Sequence, residues 1–145
     1  MPTSSSGVWK LRCDGGSRGN PGPGAYGFVL LDDHGHEVEA RGEYLGTVTN
    51  NVAEYRGLIA GLETAAARGV ASLDVSMDSE LVIRQMTGEY RVKHEGLKPL
   101  HAAARAAAAR LASVSFRAVP RADNAHADRL VNEMLDRILG SESPR

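Results

Sequence analysis

A single cysteine, Cys13, is all the thiol in a chain of 145 residues. That excludes an internal disulfide and any cysteine-built zinc site, and it fits residence in the cytoplasm. No apolar run approaches the roughly 20 residues that a membrane span needs. The opening, residues 1–7, is polar and Ser-rich. It lacks the basic and apolar segments of a signal peptide, so it reads as a flexible arm. A surplus of positive charge is missing too: 17 Lys and Arg against 18 Asp and Glu give a net charge of −1. A protein that gripped nucleic acid by charge alone would be strongly basic. Either the partner is not nucleic acid, or the acidic groups that cancel the bases gather where cations sit.

What is present suffices for one domain with one core, since 42% of the residues are hydrophobic. Alternation over 8–14, with Trp9, Leu11 and Cys13 on one face, predicts a strand. A second, more buried strand is expected over 25–31, a hairpin turn at Asp32-Asp33-His34-Gly35, and a third strand over 37–45. The period then changes. Val52, Tyr55, Leu58, Ile59, Leu62, Ala65 and Ala66 fall at helical spacing within 50–68, with Asn50 as N-cap and Gly69 as C-cap. A strand over 73–77 and a helix over 79–86 follow, then an Ala-rich helix over 97–112 that admits Pro99 in its first turn. Val114, Phe116 and Ala118 alternate as a fifth strand, and an amphipathic helix over 124–139 is closed by Gly140. The expected domain is therefore 8–140, with 141–145 a flexible tail or the start of a linker. An antiparallel meander followed by right-handed crossovers makes an α/β protein whose fourth strand runs parallel to the first.

The stretch from Asp14 to Gly27 carries the chemistry. Asp14 closes the strand-like run and opens a segment rich in Gly and Pro. Glycine lets a backbone approach a ligand closely. Glu54, Asp78 and Asp128 also stand at the boundaries of elements, beside Gly, Asn or Ser. Surface carboxylates are common, and any one of them alone would be read as scattered. Brought together without matching bases they would repel one another, and would persist only if protonated or neutralised by cations. Hard divalent ions suit oxygen ligands, and Mg²⁺ suits phosphate chemistry. Two ions about 3.5–4 Å apart can serve both sides of a phosphodiester. Metals at the scissile phosphate would also account for the missing basic surplus.

These motifs have a family likeness. Asp-Gly-Gly-Ser-x-Gly-Asn-Pro-Gly-x-Gly-x-x-Gly at 14–27, Thr-Asn-Asn-x-Ala-Glu-Tyr at 49–55, Asp-Ser-Glu-Leu-Val at 78–82 and Val-Pro-Arg-x-x-Asn-x-x-Ala-Asp at 119–128 closely resemble type 1 ribonuclease H. The resemblance spans about 8–139. It implies a five-stranded mixed sheet of order 3-2-1-4-5, with strands 1-2-3 an antiparallel meander, strands 4 and 5 parallel, and helices on both faces. It implies an endonuclease that cuts the RNA strand of an RNA–DNA hybrid duplex with two Mg²⁺ ions (Mn²⁺ able to substitute), leaving 5′-phosphate and 3′-hydroxyl ends. Asp14 would bridge the metals, Asp128 would help hold the ion carrying the attacking water, and Glu54 and Asp78 the ion at the leaving oxygen. Ser17 and Gly19 backbone groups in the Gly15-Gly16 loop, with Glu54 and Glu80, would read 2′-hydroxyls, which distinguish RNA from DNA. Asn20, Asn50 and Asn51 would reach base edges, and Thr49 a DNA phosphate. A monomer is expected.

Two departures qualify the likeness. Many members carry a mobile His before the last Asp; here Arg121 stands in that loop. Arginine cannot act as a base, so a phosphate-contact or product-release role is expected of it. His126, two residues from Asp128 on a helix, faces away, and His34, His36, His94 and His101 read as turn or solvated residues. The long basic protrusion of some members is replaced by the short, mildly basic 89–98, which predicts a weaker and steeply salt-dependent grip. The G-x-G-x-x-G match at 22–27 leads into a strand, not a helix, and so offers no dinucleotide site. Rivals are a resolvase or integrase core, a non-catalytic hybrid-binding module, or the nuclease domain of a longer bifunctional protein. All four carboxylates are present, which counts against the module.

Overall fold

Strand β1 (Trp9–Ser17) sets Leu11 and Cys13, fully buried, on one side and Arg12 and Asp14 on the other, with Asp14 buried as well. The structure, a computed structural model, describes residues 7–142, with side chains to Gly140. Strands β2 (Gly22–Leu31) and β3 (Glu37–Val48) complete the antiparallel meander with β1. Helix α1 (Asn50–Ala67) crosses over to β4 (Ser72–Met77), which runs parallel to β1. Helices α2 (Glu80–Met86) and α3 (Lys98–Ala108) lead to β5 (Ser113–Ala118), parallel to β4. A 3-10 turn, Arg121–Asn124, precedes α4 (Ala125–Glu142). The five-stranded order is β3-β2-β1-β4-β5, as expected.

The sheet has two unlike faces. Leu11, Phe28, Leu30, Leu73, Val75 and Met77 project onto α1, whose Tyr55, Leu58 and Leu62 meet them in the main core. Opposite, α4 sets Val131 and Leu135 against Ala25 in a smaller cluster. Two glycines permit these approaches. A Cβ on Gly27 would fall 2.8 Å from that of Leu130, and one on Gly15 would fall 2.2 Å from the Ala53 carbonyl oxygen. No helix among the described residues is long and apolar enough to cross a membrane.

Several boundaries differ from expectation. The Gly-rich stretch is mostly strand: β1 continues to Ser17 and β2 already begins at Gly22, because Asp14 through Ser17 pair with Gly27 through Gly24. Backbone pairing compensates for glycine's weak strand propensity there. The N-cap of α1 is Thr49, not Asn50; its side chain accepts from the Val52 N–H at 3.2 Å. The C-cap is Arg68, and Gly69 follows with φ +77°. Helix α3 ends at Ala108, short of 112, since Leu111 turns into the core. Gly140 does not stop α4, which runs to Glu142. Of the expected arm and tail, residues 1–6 and 143–145 lie outside the described residues.

Candidate active site

The parallel pairing of β1 with β4 ends at Arg12 and Ser76. Beyond it the two strands part, and the gap receives Asp14 from β1 and Asp78 from just past β4. Close packing of α1 on Gly15 brings Glu54 to the same gap. Asp128 comes from the first turn of α4. The four carboxylates line one cleft of about 560 Å³. They share the cleft without closing on one point: among the described residues, no three His, Cys, Asp or Glu side chains are gathered tightly enough to hold a metal ion.

Electrostatics show what the cleft lacks. Asp14, only 6% exposed, has its pKa pushed up to about 8, first by burial, then by the Asp78 charge and a hydrogen bond with Asp128. Glu54 rises to about 7, chiefly through burial, with Asp78 adding to the rise and a hydrogen bond from Ser79 opposing it. Arg121 is the cation paired with one of the four, its Nε 3.4 Å from Asp78 Oδ2, while Arg18 at the cleft's edge pairs with Asp136. One exposed guanidinium cannot balance four carboxylates. The donor set is all oxygen and short of positive charge, which fits hard divalent cations.

The rim is built by the hairpin. Asn50 Oδ1 accepts from the Ser17 N–H at 2.8 Å and from Ser17 Oγ at 3.2 Å. Asn20 Oδ1 accepts from the Asn50 N–H at 3.1 Å. Losing the cap role to Thr49 thus frees the Asn50 side chain to clamp β1 to α1. Gly15, Gly16, Ser17, Asn50, Asn51 and Glu80 line the cleft. Gly19, Asn20 and Thr49 do not: Gly19 and Asn20 bond to Ser17 and Asn50, which do, and Thr49 caps α1. Gly19 has φ +93°, and its carbonyl accepts from Ser17 Oγ at 2.6 Å.

Three polar lining residues were missed from the sequence: Arg18, Ser79 and Asn132. Arg18 reaches across to α4, with Asp136 Oδ1 at 2.7 Å and Asn132 Oδ1 at 3.4 Å. The i+4 relation of Asn132 to Asp128 was the available signal, and Asn132 Nδ2 donates to the Asp128 carbonyl. Among the histidines, His126 lies outside the cleft, 3.6 Å from Glu37. His101 is not solvated as expected: its Nε2 is 3.2 Å from the Gln85 carbonyl, and its ring meets Tyr55 edge-on.

Asn124 secures the turn that carries Arg121. It is buried, and its Nδ2 donates to the Cys13 carbonyl at 2.9 Å, one residue before Asp14. Its Oδ1 has no partner among the described residues. Asn124→Ala should cost about 1–3 kcal/mol by leaving a buried carbonyl without its donor. A urea unfolding midpoint unchanged from wild type would contradict this.

The sheet order, the crossover and the carboxylate-lined cleft define a ribonuclease H-like domain, and a family model described as reverse transcriptase-like matches residues 12–134. Ribonuclease H1 from the archaeon Halobacterium salinarum is 42% identical and superposes with a TM-score of 0.87, over 90% of this chain and 99% of that one. The chain belongs to the type 1 ribonuclease H family. A protein of Mycobacterium tuberculosis named bifunctional protein Rv2228c is 47% identical over 92% of this chain. Its N-terminal RNase H domain, solved as a fusion, gives a TM-score of 0.90 at 45% identity, covering 95% of this chain and 100% of that one. This chain spans only 41% of that relative's length. LC11-RNase H1, solved with an RNA/DNA hybrid, is 40% identical with a TM-score of 0.85, covering 90% of this chain and 99% of that one.

Proposed function

We propose that this domain hydrolyses the RNA strand of RNA–DNA hybrids, leaving 5′-phosphate and 3′-hydroxyl ends. The observation that carries the reading is the meeting of Asp14, Glu54, Asp78 and Asp128 in one cleft beneath the Ser17–Asn50 rim. The hybrid bound to LC11-RNase H1 supports the choice of substrate. The four carboxylates would hold two Mg²⁺ ions, with Mn²⁺ able to replace them. When bound, such ions would activate water and stabilise the departing oxygen.

The protein's own groups recognise and position the strand. Backbone groups of Ser17 and Gly19, with the Glu54 and Glu80 side chains, read successive 2′-hydroxyls. Asn50 and Asn51 reach base edges, with Asn20 supporting Asn50, and Thr49 contacts a phosphate of the DNA strand. Arg121, poised on Asp78, meets the cleaved phosphate and aids its release. The domain acts as a monomer in the cytoplasm.

The test offers end-labelled hybrid, double-stranded RNA and double-stranded DNA with Mg²⁺. Selective cutting of the RNA strand in the hybrid is expected. Equal cutting of DNA, or no cutting of any substrate, would overturn the proposal.

A further inference from the structure

Helix α4 lies over β1, β2 and β3 and leaves the same face of β4 and β5 bare. The residues on that face are polar. Across three strands the register sets Arg12 beside Ser76 and Ser76 beside Arg117. The next row is Lys10, Asp74 and Ser115. With strands about 4.8 Å apart, the backbones of Arg12 and Arg117 stand about 10 Å from each other. Arg129 and His126 of α4 close one side, giving a groove of about 540 Å³.

The groove is basic in a chain whose net charge is −1. Three arginines line it against one acid, Asp123. Arg117 is held by Asp74 at 2.5 Å and His126 faces Glu37 at 3.6 Å. Arg12 and Arg129 form no ion pair with any described residue, so their guanidinium groups are available. No Phe, Tyr or Trp lines the groove, so its donors favour the backbone of a nucleic acid over its bases. Guanidinium forks and a serine hydroxyl are donors suited to phosphate. The groove also adjoins the cleft. In the 3-10 turn, Arg121 lines the cleft while Ala122 and Asp123 line the groove, and Arg12 precedes Asp14 by two residues on one side of β1.

We propose that this groove is a second nucleic-acid contact, binding backbone phosphates of the part of a long duplex that extends past the cleft. The inference rests on nucleic acid being the partner of the cleft. The test compares the full chain with Arg12→Gln/Arg129→Gln, which breaks no described ion pair, and with a triple variant adding Arg117→Gln. Anisotropy of a labelled 30-base-pair DNA duplex, which is not a substrate, is followed across a salt series. The double variant should bind about tenfold more weakly at low salt, with the slope of log K against log salt shallower by about 2. The triple variant should lose further affinity, and cleavage of a hybrid too short to leave the cleft should keep its kcat. An unchanged slope in the double variant would overturn the inference, even if the wild type cuts hybrid normally. Equal competition by inorganic triphosphate or by poly-glutamate, at matched charge, would overturn it too, by marking a small-anion or acidic-protein site. Failure of the wild type to cut hybrid strikes the hydrolytic reading and leaves the slope comparison intact.

Discussion

Asp14→Asn should lower kcat on the hybrid by about a thousandfold or more, which is roughly 4 kcal/mol of barrier at about 1.4 kcal/mol per factor of ten. Asp14 sits at the centre of the site: it is the most buried of the four carboxylates, Asp78 raises its pKa by charge, and Asp128 is hydrogen-bonded to it. Asparagine keeps the shape and one oxygen but removes the charge that would hold a cation. Affinity for the hybrid should change little, because the rim residues and Arg121 are untouched. Single-turnover cleavage and binding measured on the same variant separate the two effects. Cleavage within a few-fold of wild type would show that this carboxylate is not part of the chemistry.

The same substitution should stabilise the metal-free protein in a pH-dependent way. Asp14 has a folded pKa of about 8, against about 3.9 in an unfolded chain. The folded state therefore holds a proton that the unfolded state has released. This contribution to stability is fully present below the unfolded value, and is lost as pH rises through the folded one. Glu54, pushed up to about 7, acts in the same sense. In EDTA, the unfolding temperature of the wild type should fall from pH 5 to pH 8. Asp14→Asn should fall less and lie higher at pH 8, by about 3 °C for each kcal/mol of relieved repulsion. Added Mg²⁺ should raise the wild type more at pH 8 than at pH 5, since the cation replaces the proton. A wild type whose stability rises over this range in EDTA would contradict the electrostatic account of the cleft.

Most of the fold and much of the candidate site could be read from the chain. The change from two-residue to helical periodicity after residue 48 separated the meander from the crossovers. The four carboxylates stood out because each adjoins Gly, Asn or Ser at an element boundary. What escaped was decided by contacts between distant segments. Gly15 and Gly16 are strand only because of their partners in β2, against glycine's own preference for turns. Thr49 and Asn50 are both good caps, and Asn50 was drawn away by Ser17 on another strand. Arg18 joined the site through Asp136, far along the chain. His101 looked solvated because nothing local reveals that Tyr55 and the Gln85 carbonyl would meet it.

Crystals of Asp128→Asn bound to an uncleaved hybrid and soaked in Mn²⁺ test the central claim most directly, through anomalous scattering at the manganese edge. The account predicts anomalous density between the hybrid's phosphate and the carboxylates of Asp14, Glu54 and Asp78. A bound hybrid with no such density in the cleft, or with manganese held only elsewhere, would contradict it.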